Sequence, residues 1–126
     1  MKLVSVAYEH WPENYTKFRP ESSEHLRAWL LCKAGWITEV SLEMKPGRVM
    51  NNTALAIMSL DRQRGLFSWV RQRGESIVIF APRSISYKAA KHREVCRVFQ
   101  DAEDIICEII GVRDGDQLLK EAEKAA

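Results

Sequence analysis

Ser76-Ile77-Val78-Ile79-Phe80-Ala81 is a near-continuous apolar run, closed by Pro82. A strand that is apolar on both sides belongs at the centre of a sheet. Working outward, Arg73-Gly74-Glu75 precedes it, and Gly74 can take the positive φ of a tight turn. Residues 66–72 then read as the partner strand of a hairpin. Further upstream, Trp36, Thr38, Val40, Leu42 and Met44 alternate with Ile37, Glu39, Ser41 and Glu43. Period two over nine residues is a strand signal, with one face expected buried and the other wet. Pro46-Gly47 ends it.

Helical patterns surround these three strands. Residues 2–10 read as helical turns broken by Pro12, Glu13 and Asn14, and residues 12–21 as a loop closed by Pro20. Ser22 or Ser23 can cap a helix carrying Leu26, Trp29, Leu30 and Lys33, with Gly35 as its stop. Asn51 or Asn52 is the expected start of another helix, with Leu55, Met58 and Leu60 as core contacts and Gly65 as the stop. Ser86 is the expected cap of a long helix over 87–110. Its stripe is Val95, Phe99, Ala102, Ile106 and Ile109, and Gly111 ends it. Asp114 caps a short last helix in which Leu118, Leu119 and Ala122 can dock. The fold class is therefore α+β: a small mixed or antiparallel sheet of about three strands packed against helices. At 126 residues the whole chain, 1–126, is expected to form a single domain.

Charge is distributed unevenly. Residues 62–97 carry nine Lys/Arg against two Glu, a net of +7; residues 98–126 carry three against eight, a net of −5; the first 61 balance at 0. The chain total of +2 hides a basic middle and an acidic end. Local fields of this kind recruit polyanions and partners. Within the basic stretch, Phe67, Trp69, Arg71 and Arg73 would share one face of a strand over 66–73. Such a strip can stack bases and hold phosphates. It equally fits a hairpin with core aromatics and solvated arginines at its tip. Arg83, Lys88, Lys91 and Arg93 gather at the start of the long helix, where cations oppose the helix dipole and an anionic ligand would profit from exposed amides. Asp101, Glu103, Asp104 and Glu108 read as the wet side of that helix, or as a surface facing a basic patch on a second copy.

Signals for catalysis and metal binding are poor. His10, His25 and His92 are isolated, and no His-x-x-x-His, Gly-x-Ser-x-Gly or glycine-rich phosphate loop occurs. Glu39 and Glu43 would share a strand face, which alternating surface glutamates explain. No enzyme activity, cofactor or metal is expected. Cys32, Cys96 and Cys107 read as core thiols; on one helix the last two would stand ~16 Å apart, too far to bridge. Of the four tryptophans, Trp29 and Trp36 read as core, and Trp11, in a loop, as an interface anchor. A homodimer joined near Trp11 and the last helix is expected. Nothing approaches the ~18–20 apolar residues of a membrane helix, and the N-terminus is too short and polar for a signal peptide. The expected location is the cytoplasm of a bacterial host.

Three segments carry a family resemblance. Glu9-His10-Trp11-Pro12-Glu13 with Ser23-Glu24-His25-Leu26-Arg27-Ala28-Trp29-Leu30-Leu31-Cys32-Lys33-Ala34-Gly35 resembles small phage and prophage proteins of unassigned function. Val78-Ile79-Phe80-Ala81-Pro82-Arg83-Ser84-Ile85-Ser86-Tyr87 resembles their strand-to-helix junction, and Val95, Phe99, Ile105 and Ile106 their long helix. The likeness covers most of 8–119. The set is in turn similar to the recombination-mediator proteins of lambdoid phages. That resemblance implies a homodimeric accessory protein that binds single-stranded DNA. The family pattern also has an upstream strand and a basic segment, whereas here Met1 falls inside the first helix. A trimmed protein of this kind suits a second use, inhibition of a bacterial anti-phage defence complex.

Overall fold

The computed structural model describes residues 2–83 and 92–125. Its elements are α1 (Lys2–Glu9), α2 (Ser23–Lys33), β1 (Ile37–Glu43), α3 (Arg48–Gln63), β2 (Trp69–Arg73), β3 (Ser76–Pro82), α4 (His92–Ile110) and α5 (Gly115–Ala125). This is a small α+β fold whose three strands form one antiparallel sheet. The chain divides into two compact units: a helical unit, Met1–Gly35 with Ile85–Ala126, and a sheet unit, Trp36–Ser84.

In the helical unit, α2 is set by its ends. Ser22 Oγ accepts the His25 N–H at 3.1 Å, Glu24 lies in the first turn and Lys33 in the last. Gly35, at φ 90°, ends the helix. The inward face of α2 buries His25, Leu26, Ala28, Trp29, Leu30 and Leu31. Leu3, Val4 and Ala7 of α1, Val98, Ala102, Ile106 and Cys107 of α4 and Leu118 of α5 complete this core. The stripe expected on α4 is present, although Val95, Phe99 and Ile109 are only half-buried. The Ser86 cap and the first residues of the expected 87–110 helix lie outside the described residues. Asp114 caps α5: its carboxylate accepts the Gln117 N–H at 2.8 Å, while Gln117 Oε1 accepts the Arg113 N–H at 2.7 Å.

Gly115 opens α5 against α4. Glu103 Oε1 accepts its N–H at 3.0 Å, and a Cβ here would run into that carboxylate and press Leu3 Cδ2 at 3.3 Å. Glu103 is thus half-buried and engaged, whereas Asp101, Asp104 and Glu108 are exposed, as a wet helix face requires. Gly115→Ala is expected to displace the carboxylate and cost about 1 kcal/mol. A melting curve should show a fall of about 4 °C. An unchanged or higher Tm would mean the close approach carries no cost.

The aromatic loop packs on α2. Phe18 stacks on Trp29 with centroids 4.4 Å apart and planes 1° from parallel. Trp11 meets Tyr15, Phe18 and Trp29 edge-on at 5.6, 6.3 and 6.1 Å, and its indole N–H donates to the Phe18 carbonyl at 3.0 Å. Buried His25 sits 4.9 Å from Phe18, and its Nδ1 accepts the Glu21 N–H at 3.1 Å. Accepting at Nδ1 specifies the tautomer that carries its proton on Nε2.

In the sheet unit the strand order is β1-β3-β2, so the apolar run 76–82 is central as expected. Met44 N–H extends the β1 edge by donating to the Glu75 carbonyl at 2.8 Å. Gly74, at φ 61°, makes the β2–β3 turn. Trp36 and Arg83 close the unit. The Arg83 N–H donates to the Trp36 carbonyl at 3.2 Å, the Trp36 indole N–H to the Arg83 carbonyl at 3.1 Å, and the Arg83 guanidinium lies 4.3 Å over the indole.

Two expectations for this unit are corrected. The helix begins at Arg48, not at Asn51 or Asn52, because Gly47 (φ 148°) already turns the chain out of β1 and nothing between breaks the helix. Its inner stripe is Met50, Ala54, Ile57, Met58 and Asp61. Leu55 and Leu60 lie off that stripe, 67% and 53% exposed, and are not core. The expected buried face of β1 is the second correction: Val40 and Leu42 are exposed along with Thr38.

Candidate nucleic-acid interface

The sheet register builds the site. Trp69 lies level with Phe80 and Glu39, Arg71 with Val78 and Ser41, and Arg73 with Ser76 and Glu43. Because alternate positions share a face, one side of the sheet carries Trp69, Arg71 and Arg73 on β2, Phe80 and Val78 on β3, and Glu39, Ser41 and Glu43 on β1. This face is polarised, with cations along one edge strand and carboxylates along the other. Arg71 and Arg73 are exposed. Arg73 Nη1 stands 4.0 Å from Glu39 Oε2, with both side chains at least half open to solvent. A pair of that length and exposure contributes ~0–1 kcal/mol and leaves Arg73 able to exchange its partner for a phosphate.

The structure thus unites three of the expected residues. Phe67 precedes β2 and is half-buried, so the strand does not extend to it as expected. Trp69 is half-buried too. Arg83 is exposed but stacked on Trp36, one residue beyond β3 and at the end of the sheet opposite to Arg73. At ~3.3 Å per residue it stands on the order of 20 Å from the hairpin tip. Arg93 is exposed on α4 in the helical unit. Lys88 and Lys91 lie outside the described residues. Trp11 is half-buried, with its ring and N–H engaged in the aromatic loop. Phe80, in sequence one of the aromatics of the basic stretch that suit base stacking, stands beside Trp69. The apolar run marks it as a strand residue, but only the register names its neighbour.

Beside the hairpin, an open hollow is lined by Glu43, Met44, Lys45, Glu75 and Ser76. Among the described residues no group of three His, Cys, Asp or Glu gathers as a metal would need, and no helix is long and apolar enough to cross a membrane.

The thiols divide by environment. Cys107 is buried and Cys32 half-buried, as expected, but Cys96 is exposed on the outer side of α4 and is not a core thiol. Burial pushes the Cys32 thiol up to about 11. Burial also raises Cys107, helped by the negative charges of Glu103, Asp104 and Asp114. Only the thiolate reacts, and at pH 8 a pKa near 11 leaves about one Cys32 in a thousand ionised. Iodoacetamide is expected to label Cys96 first, with Cys32 and Cys107 slower by tenfold or more until the chain is denatured. Equal rates in the native protein, read by peptide mass, would contradict this burial pattern.

No protein-family model, curated protein or solved structure matches the chain. The likeness to phage recombination mediators stands on the sequence motifs alone.

Proposed function

We propose that the sheet unit is a non-catalytic nucleic-acid-binding module of the phage recombination-accessory kind, which holds single-stranded DNA along β2. One observation carries this reading: Trp69, Arg71 and Arg73 alternate onto a single sheet face, with both guanidinium groups exposed to solvent. The two arginines contact successive phosphates, Trp69 and Phe80 supply apolar and aromatic surface for bases, and Arg83 receives the backbone at the far end. Lys88, Lys91 and Arg93 follow in sequence and add to the positive charge of this stretch. The test is fluorescence anisotropy with a labelled oligonucleotide at two salt concentrations. Binding is expected to weaken with salt at a slope of about −0.7 per neutralised phosphate. No anisotropy change at low salt rejects the reading.

A second reading, an inhibitor that binds a bacterial defence protein, is favoured by a different observation. Among the described residues the exposed large hydrophobics are Tyr8 and six in the sheet unit: Val40, Leu42, Val49, Leu55, Leu60 and Leu66. Apolar exposure on that scale suits a protein partner. A stoichiometric protein co-purifying from host lysate, together with no oligonucleotide affinity, selects this alternative.

A further inference from the structure

We infer that β1 is the seam of a homodimer, pairing antiparallel with β1 of a second copy so that two three-stranded sheets become one of six strands. The order β1-β3-β2 leaves β1 and β2 as edges, and among the described residues no strand pairs with the outer side of either. An open edge is a template for another strand. From Thr38 to Glu43 every residue of β1 is exposed, including Val40 (54%) and Leu42 (40%) on one face.

Charge and symmetry select the occupant. Joining β2 to β2 of another copy over the whole of Trp69–Arg73 sets Arg71 against itself on the axis, and like charges directly opposite are destabilising. Joining β1 to β2 of another copy in a continuous sheet is parallel, since both run antiparallel to β3, and it adds copies without closing. Joining β1 to β1 closes on a two-fold axis. Full overlap of Ile37–Glu43 puts Val40 on that axis, Glu39 opposite Ser41, and Glu43 opposite Ile37. Moving the axis to Ser41 would oppose Glu39 to Glu43 twice. The register that uses the whole strand therefore avoids directly opposed carboxylates, leaving Glu39 and Glu43 only diagonal to those of the other copy, and it brings Val40 and Leu42 of both copies into one apolar row. This seam differs from a dimer built on Trp11 or the last helix. It leaves Arg71 and Arg73 on the outer strands of the joined sheet.

The test is sedimentation equilibrium of the full chain under reducing conditions from roughly 1 to 200 μM, a range suited to a modest interface. The mass is expected to rise from 14.5 kDa toward twice that value. Val40→Lys places two ammonium groups on the axis and is expected to weaken the dimer at least tenfold, with circular dichroism confirming the fold. Val49→Lys, on exposed α3, is expected to leave it unchanged. Under mild oxidation Val40→Cys should cross-link, because facing residues of an antiparallel pair lie within disulfide range. Leu42→Cys, about 14 Å from its symmetry mate, should cross-link no more than the unmodified chain. A monomer at every concentration overturns the inference. So does a dimer that survives Val40→Lys, one lost on Val49→Lys, or Val40→Cys that cross-links no faster than the unmodified chain.

Discussion

Replacing Trp29 with alanine is expected to cost about 4 kcal/mol of folding stability. The indole is 9% exposed and is the plate on which the aromatic loop is assembled. Phe18 lies flat on it, Trp11 and Tyr15 meet it edge-on at 6.1 and 6.4 Å, and Lys33 Nζ sits 5.6 Å above the ring. The loop from Pro12 to Glu21 has little regular structure, so its order depends on these contacts. Removing Trp29 leaves a cavity against α2 and takes from Phe18 and Trp11 the surface that holds them. Urea unfolding followed by circular dichroism gives the loss directly, and Trp29→Phe, which keeps a ring to stack on, should recover about half. A loss under ~1 kcal/mol for the alanine variant would show that the loop is held by something other than this stack.

The double reversal Arg71→Glu/Arg73→Glu is expected to lower oligonucleotide affinity by roughly 30-fold or more at low salt. It should also flatten the salt slope by about 1.4, the share of two phosphates on a single strand. Both side chains are solvent-exposed, so stability should stay within ~0.5 kcal/mol and the loss can be assigned to binding. Glu39 supplies a companion experiment of opposite sign. Its carboxylate is the one paired with Arg73, so Glu39→Gln is expected to raise affinity two- to threefold by releasing that guanidinium. If the double reversal binds as tightly as the parent chain, phosphates are not held along β2.

What the sequence made legible was local chemistry. The Ser22 cap, the Gly35 and Gly111 stops, the Asp114 cap and the Gly74 turn each depend on a few neighbouring residues, and each stands where it was read. The central position of β3 was legible because a strand apolar on both sides has few other places to go. Coverage was not legible. Alternation shows that Thr38, Val40 and Leu42 share a face, but whether anything lies over that face depends on residues distant in sequence. The same limit misplaced Leu55: one position along from Ala54 is a rotation of about 100° around the helix, enough to turn a core side chain into an exposed one. Register was hidden for a related reason. That Phe80 sits beside Trp69 follows from how the Gly74 turn aligns two strands, which hydrophobic pattern alone does not encode. Of the candidate site, the Trp69-Arg71-Arg73 alternation could be read in advance, whereas the distance of Arg83 from it could not.

The mutual grip of Trp36 and Arg83 has a consequence for chain connectivity. The strands form an insert that the polypeptide enters and leaves at one doorway, because the two residues at its threshold are locked to each other. A floppy excursion of about fifty residues would add about 3 kcal/mol of closure entropy to joining the helices on either side of it. An insert that latches its own gate removes most of that penalty. It can therefore lengthen, shrink or be exchanged while the helices around it keep their connection.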